Sequence, residues 1–98
     1  MVTEINQTNF NDKINNKCLV DFYATWCSPC KMLEPIMEEI SEELTDLHFY
    51  KINVDENLDI AEKYGVNSIP TIILFNEGKK IKENTGFLNK AELKNFII

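Results

Sequence analysis

Apolar residues along this 98-residue chain follow two spacings, one typical of strands and the other typical of helices. Strands show as short apolar runs, and one of these runs carries an acidic residue at its middle, as in a strand that is buried on both faces. A glycine-containing turn follows the last buried run, so the next strand returns antiparallel to it. The strands are predicted over residues 2–6, 18–24, 48–54, 70–75 and 80–84.

The longest helix is predicted from about Pro29 to Leu44, where apolar residues recur at steps of three and four. Pro29 suits the first turn of this helix, where its missing N–H costs little. Pro35 lies inside the pattern and predicts a kink. Three shorter helices are predicted: one after Thr8 as the N-cap, one over 57–64 with Gly65 as its stop, and one after Asn89 as the N-cap.

Strands that alternate with helices predict an α/β protein, with parallel crossovers that cover both faces of a sheet and the final hairpin at one edge. The chain contains no internal repeat, low-complexity tract or flexible linker. Its length suits one small core. We therefore expect residues 1–98 to form a single domain.

The charge of the chain argues against two classes of partner. It has 10 lysines and no arginine against 16 acidic residues, for a net charge of −6. A negative field without guanidinium groups disfavours binding to nucleic acid or to anionic membranes. No apolar run approaches the roughly 20 residues that span a bilayer, and the first residues lack the pattern of a secretory signal, so we expect a cytoplasmic protein.

Two of the three cysteines form the sequence Cys27-Ser28-Pro29-Cys30, between a predicted buried strand and the long helix. Backbone N–H groups and the positive dipole end at a helix N-terminus stabilise a thiolate, which would lower the pKa of Cys27. Cys30 lies one turn further along, close enough to close a small disulfide ring. The spacing therefore favours Cys27 as the attacking thiol and a more buried Cys30 as the resolving thiol.

Two other interpretations of the pair stay open at this point. A structural cross-link would usually close a longer loop, because so short a ring constrains the unfolded chain by only about 2 kcal/mol. A zinc site would need about two more ligands, for which only Cys18 and His48 remain. Cys18 begins a buried strand and is interpreted as part of the core.

The run from Val20 to Lys31, VDFYATWCSPCK, resembles the active-site signature of the thioredoxin family. Two residues depart from the usual pattern: Ser28 stands where glycine is usual, and Tyr23 where tryptophan is common. The resemblance covers nearly the whole chain and implies the thioredoxin fold, a central mixed five-stranded sheet flanked by four helices. Further matches follow in order at Pro35, 51–55, 64–66, 69–71, Gly78 and Gly86.

The acid inside the buried strand is Asp21. An unpaired buried carboxylate is costly, so Asp21 should have either a raised pKa or a partner. The resemblance implies that Asp21 lies behind the disulfide and accepts the proton of Cys30. It also implies that Lys51 pairs with Asp21, although Lys51 could equally be an ordinary solvated lysine.

A second group of residues is expected to contact substrate. Trp26 precedes the reactive pair and more plausibly shields it than fills the core. The resemblance implies a cis peptide bond at Pro70, an exposed Ile69 backbone that pairs with an extended client segment, and a close approach allowed by Gly86. The expected substrate-binding rim consists of Trp26, Pro29, Ile69, Pro70 and Gly86.

Together these features predict a monomeric protein-disulfide reductase. It would exchange electrons with disulfide-containing clients, need no bound cofactor, and be recycled by a thioredoxin reductase. A thiol oxidase or isomerase of the same fold is one alternative. A thioredoxin-like binding subunit, in which the redox pair is secondary, is the other.

Overall fold

The computed structural model describes residues 1–98 as one mixed five-stranded sheet with four α-helices. This architecture confirms the fold class that the sequence predicts. None of the helices is both long and apolar enough to cross a membrane. In chain order the elements are β1 Val2–Glu4, α1 Phe10–Lys13, β2 Cys18–Tyr23, α2 Ser28–Glu43, β3 His48–Asn53, α3 Leu58–Lys63, β4 Thr71–Asn76, β5 Lys79–Thr85 and α4 Lys90–Ile97.

The central strand of the sheet is β2, in the order β1-β3-β2-β4-β5. β3 runs parallel to both β1 and β2, whereas β4 runs antiparallel to β2 and to β5. The predicted parallel crossovers and the edge hairpin are therefore both present. Because β2 is central and β4 begins where β2 ends, the C-terminal end of β2 and the N-terminal end of β4 meet at one end of the sheet.

Alternation along β2 divides the core between the two faces of the sheet. Val20 and Phe22 pack with the buried side chains of α1 and α3, while Leu19 packs with those of α2 and α4. Asp21 shares the parity of Leu19, so it lies on the face that α2 covers. The long helix therefore sits over the acidic position of the central strand.

The first short helix differs from its sequence prediction. Its N-cap is Asn9 rather than Thr8, no side chain caps it, and Ile14 is its C-cap. The physical reason is a local turn: Asn6 Oδ1 accepts the backbone N–H groups of Thr8 and Asn9, and Asn9 Oδ1 accepts that of Asn6. These bonds hold residues 6–9 in a turn, so the helix begins one residue later than predicted.

The turn between β4 and β5 has positive φ at both central residues, Glu77 (54°) and Gly78 (79°). Two such residues define the type I′ turn, whose twist matches that of the paired strands. The Gly78 N–H also donates to the carbonyl of Ile14 at 3.0 Å. The hairpin is therefore held against the end of α1, at the end of β4 remote from Thr71.

Candidate active site at the end of the central strand

The two cysteines of the close pair lie at the start of α2 and form a disulfide, with Cα atoms 5.2 Å apart. Cys27 is the N-cap residue, and its Sγ accepts the backbone N–H of Cys30 at 3.2 Å. Both cysteines are buried to nearly the same extent, 4% and 3% exposed. Their environments therefore differ in contact with the helix N-terminus rather than in exposure.

Asp21 lies beneath this disulfide in the interior. Asp21 is only 4% exposed, and its Oδ1 has no hydrogen-bond partner. A cavity of about 300 Å³ is lined by both Asp21 and Cys30. Burial raises the pKa of the Asp21 carboxyl to about 7, although the positive charge of Lys51 opposes the shift. Asp21 is therefore buried as predicted, and of the two expected alternatives, a raised pKa or a partner, its carboxyl has the raised pKa.

Lys51 is the cross-strand neighbour of Asp21 in the parallel pairing of β2 with β3. Its ammonium forms its ion pair with Glu34 Oε1 of α2, at 3.8 Å, and not with Asp21. It also lies 5.6 Å from the centroid of the Tyr23 ring. The implied Asp21–Lys51 ion pair is therefore replaced by Glu34–Lys51, because α2 brings a solvent-exposed carboxylate to the accessible side of the lysine.

Two residues of this region were not predicted as part of the site. Tyr23 Oη donates to Glu4 Oε1 at 2.6 Å, which ties the end of β2 to the edge strand β1. Glu34, an exposed residue of α2, lines the same cavity as Asp21. The departure of Tyr23 from the family pattern was a sequence signal that this position is unusual. Nothing in the sequence distinguishes Glu34 from the other glutamates of α2.

The side chains expected to form the rim next to Cys27 are accessible. Trp26 is 68% exposed, and its indole Nε1 donates to Asp55 Oδ2 at 2.8 Å. This hydrogen bond fixes one edge of the ring and leaves its apolar body in solvent. Pro29, in the first turn of α2, is also exposed.

The remaining rim residues converge on the same place from the β4 side. The Ile69–Pro70 peptide bond is cis. Ile69 packs against the small cluster that contains both cysteines, and Pro70 is buried. The Gly86 N–H donates to the Pro70 carbonyl at 2.8 Å, with a Gly86 φ of 105° that favours glycine. The structure therefore brings Ile69, Pro70 and Gly86 together beside the disulfide.

Cys18 and His48 lie elsewhere, at the opposite end of β2 and β3, where they are register partners. Cys18 is fully buried, and burial raises the pKa of its thiol to about 12. His48 is exposed and stacks on the ring of Tyr50. No group of three or more His, Cys, Asp or Glu side chains is placed to hold a metal ion. The two spare ligands considered for zinc are thus remote from Cys27 and Cys30.

Comparison with known proteins points to one family. The thioredoxin family model matches residues 1–98. A thioredoxin of Chlamydia pneumoniae is 46% identical over 98 residues, covering 99% of this chain and 96% of the relative. A thioredoxin of Mycoplasmoides gallisepticum is 46% identical over 83 residues, covering 85% and 83%.

Solved structures agree with these relatives. A mutant thioredoxin from Halobacterium salinarum superposes with a TM-score of 0.89 at 41% identity, covering 97% of this chain and 86% of the other. A chain from a study of thiol resolution in yeast mitochondrial 1-Cys peroxiredoxin via the glutathione and thioredoxin systems gives 0.88 at 37% identity, covering 98% and 92%. The disulfide at the head of α2 suits the dithiol–disulfide exchange of such oxidoreductases. The family model and the curated relatives together show that the chain belongs to the thioredoxin family.

Proposed function

We propose that this chain is a general thioredoxin with a Cys-Ser-Pro-Cys active site, acting as a single domain over residues 1–98. The proposal rests on the place of Cys27 at the N-cap of α2, where its Sγ accepts the Cys30 N–H. In the reduced protein the same donor and the helix dipole stabilise negative charge on that sulfur. Cys27 is therefore the attacking thiolate, and Cys30 is the resolving thiol.

Reduction of a client takes two exchanges. The Cys27 thiolate attacks one client sulfur, so that a mixed disulfide forms, the client disulfide breaks, and the other client sulfur leaves as a thiolate. Cys30 then passes its proton to Asp21 and attacks Cys27 Sγ, which closes the 27–30 disulfide and releases the second client thiolate. The cysteine pair loses two electrons and the client gains them. The released thiolates are protonated from Asp21 and from solvent.

The shared cavity supports Asp21 as the proton acceptor. It gives the buried carboxyl a path to Cys30 on one side and to solvent on the other. A carboxyl with a pKa of about 7 is half ionised at neutral pH, so it can both accept and return a proton there. Lys51 assists by its charge, which favours the ionised form of Asp21.

The surface around the disulfide supports broad recognition of clients. Trp26 and Pro29 offer apolar surface on one side of the disulfide, and Ile69, Pro70 and Gly86 lie on the other. An extended client segment would lie between them and pair with the backbone of Ile69. We further propose a cytoplasmic monomer that carries its electrons on the cysteine pair without a bound cofactor and is recycled by a thioredoxin reductase.

The reduction potential of the 27–30 pair tests this function. The protein is equilibrated in dithiothreitol or glutathione buffers, alkylated, and read by intact mass, with a Cys18→Ala background to remove the third thiol. We expect a potential near the family reference value of about −270 mV. Ser28→Gly is the matched comparison, since it restores the usual family residue inside the ring.

The opposite result has a clear meaning. A potential more positive than about −200 mV would indicate an oxidase or isomerase, because it means that the reduced form is strongly stabilised. A pair that shows no two-electron couple would leave a binding subunit as the function.

A further inference from the structure

The cavity behind the disulfide ends in an ion pair that was not expected there. Glu34 and Lys51 both line it, together with the buried Asp21. The Glu34 side chain is 60% exposed and that of Lys51 is 26% exposed, while Asp21 is buried. The cavity therefore runs from the carboxyl of Asp21 to the surface, and the Glu34–Lys51 pair stands at its mouth.

Lys51 has two neighbouring carboxylates, those of Asp21 and Glu34. Register places it next to Asp21 on the face of the sheet beneath α2. Its ammonium nevertheless pairs with Glu34 Oε1 at 3.8 Å, while the Oδ1 of Asp21 has no partner. Glu34 reaches the lysine from the accessible side, where an ion pair keeps part of its hydration and avoids the desolvation cost of a buried one.

We propose that Glu34 is a positioning residue for proton transfer in this thioredoxin: it holds the Lys51 ammonium at the cavity mouth, so that Asp21 remains unpaired and free to take the proton of Cys30. This inference rests on the role of Asp21 in the proposed function. It assigns to Glu34 an action through Lys51, without contact between Glu34 and the reacting sulfurs.

The charges around Asp21 support this arrangement. Burial is the main cause of its raised pKa, the charge of Lys51 lowers that pKa, and the charges of Glu34 and Glu4 raise it. Removing the Glu34 carboxylate therefore lowers the pKa of Asp21 in two ways, because a negative charge is lost and Lys51 is released toward Asp21.

Several charged or titratable groups face Asp21 from the elements packed around it. They are Lys51 from β3, Glu34, Lys31 and Cys30 from α2, Tyr23 at the end of β2, and Glu4 from β1. The neighbouring strand β4 contributes the apolar Ile72.

A purely structural role for Glu34 would give a different result. An ion pair this exposed contributes little to the free energy of unfolding. Replacing Glu34 should consequently leave the thermal midpoint almost unchanged at pH 5, where Asp21 stays protonated in both folded proteins. A shift in the titration of Asp21 without a loss of stability at pH 5 separates positioning from structural support.

The test is the carboxyl titration of Asp21 by ¹³C NMR in the oxidised protein, with Asp21→Asn used to assign the resonance. In Glu34→Gln we expect the midpoint to fall by about one pH unit. Glu42→Gln is the matched control, since it removes the same charge from the same helix about 12 Å further along, close to one screening length. A Glu34→Gln shift no larger than that of Glu42→Gln would overturn the proposal.

A double-mutant cycle tests whether Glu34 acts through Lys51. In a Lys51→Gln background the effect of Glu34→Gln should shrink to less than half, because no ammonium remains to be repositioned. An effect of unchanged size in that background would show that Glu34 acts by its own charge alone, which contradicts positioning. Glu34→Asp, which keeps the charge, should restore most of the original midpoint.

The pH dependence of single-turnover oxidation separates a failure of this proposal from a failure of the proposed function on which it rests. Single-turnover oxidation of the reduced protein by insulin is followed from pH 5 to pH 9, and Glu34→Gln should move the profile toward lower pH. If Asp21→Asn leaves the profile of the parent protein unchanged, the Asp21 step of the proposed function is wrong, and the role of Glu34 is wrong with it. If Asp21→Asn alters the profile and Glu34→Gln does not, only the present proposal is overturned.

Discussion

At the scale of single residues, three cysteines of one chain occupy two chemically different environments. Cys27 and Cys30 lie at a helix N-terminus, where Cys27 Sγ accepts a backbone N–H. Cys18 is fully buried in an apolar cluster at the other end of β2, and the pKa of its thiol is raised to about 12 by that burial. Since the thiolate is the reactive form, the reactive sulfurs lie at the helix N-terminus that follows β2, and the inert sulfur lies in the apolar interior at the start of β2.

This separation predicts an order of alkylation in the reduced native protein. At pH 8 a thiol with a pKa of about 12 is ionised in only about one molecule in ten thousand, so Cys18 should stay unmodified by iodoacetamide. Cys27 should react first and Cys30 more slowly. Peptide mass mapping over time measures all three, and unfolding in urea should expose Cys18. Labelling of Cys18 as fast as Cys27 in the folded protein would contradict its burial, and Cys18→Ala should leave the labelling of the other two unchanged.

The residue scale is also where sequence reasoning reached its limit. Asp21 was predictable as a buried acid, because a carboxylate within an apolar run has few other placements. The partner of Lys51 was not, since the sequence fixes neither the register of β2 against β3 nor the approach of α2. Glu34 therefore looked like any other solvated glutamate of its helix until the tertiary fold brought it to Lys51.

At the scale of elements, the helix ends show which local signals are reliable. Asn89 caps α4 as predicted, and a capping box is complete: its Oδ1 accepts the N–H of Glu92, whose side chain accepts the N–H of Asn89. The Thr8 prediction was wrong because Asn6 and Asn9 hold residues 6–9 in a turn that includes the Thr8 N–H, so the helix begins after Asn9. A cap is thus readable from sequence where one candidate side chain stands alone.

The cap of α4 gives a prediction for stability. Asn89→Ala removes the hydrogen bond that Asn89 Oδ1 accepts from the Glu92 N–H and should lower the free energy of unfolding by about 1 kcal/mol. Urea denaturation followed by circular dichroism measures the change. Asn95→Ala is the control, because the same substitution at an exposed position within the helix should be neutral or stabilising by up to about 0.5 kcal/mol. Equal losses in the two variants would argue against the capping box.

At the scale of the whole molecule, the buried acid links global stability to pH. The pKa of Asp21 is about 7 in the folded protein, above its value in the unfolded chain. Between those two values the folded state binds more protons than the unfolded state, so this residue makes the protein less stable as pH rises from about 4 to about 7. Above that range its penalty stays constant.

Asp21→Asn removes this linkage. The stability of the variant relative to the parent protein should increase from pH 4 to pH 8, by up to about 4 kcal/mol if the whole shift is expressed. Urea unfolding at a series of pH values gives the difference. Asp46→Asn, at an exposed position between α2 and β3, is the matched control and should show no such trend. A difference that is flat with pH would mean that Asp21 does not titrate as its burial indicates.

The overall architecture was the most predictable level. Alternating strand and helix spacings define the α/β class, and the matches spread from Val20 to Gly86 tie almost every element to one known arrangement. The order β1-β3-β2-β4-β5 was not predicted, because pattern gives the faces of strands but not their neighbours.

The hairpin turn at Glu77 and Gly78 offers a point for attaching the molecule to other materials. It lies at the end of β4 opposite Pro70, about 20 Å from the disulfide at the rise of a β-strand. Glu77 is exposed, and its positive φ is one that asparagine or glycine adopts readily. A surface linker attached through the side chain at position 77 would keep the turn backbone intact and leave the reactive face pointing outward, so the fold suits an immobilised reducing reagent.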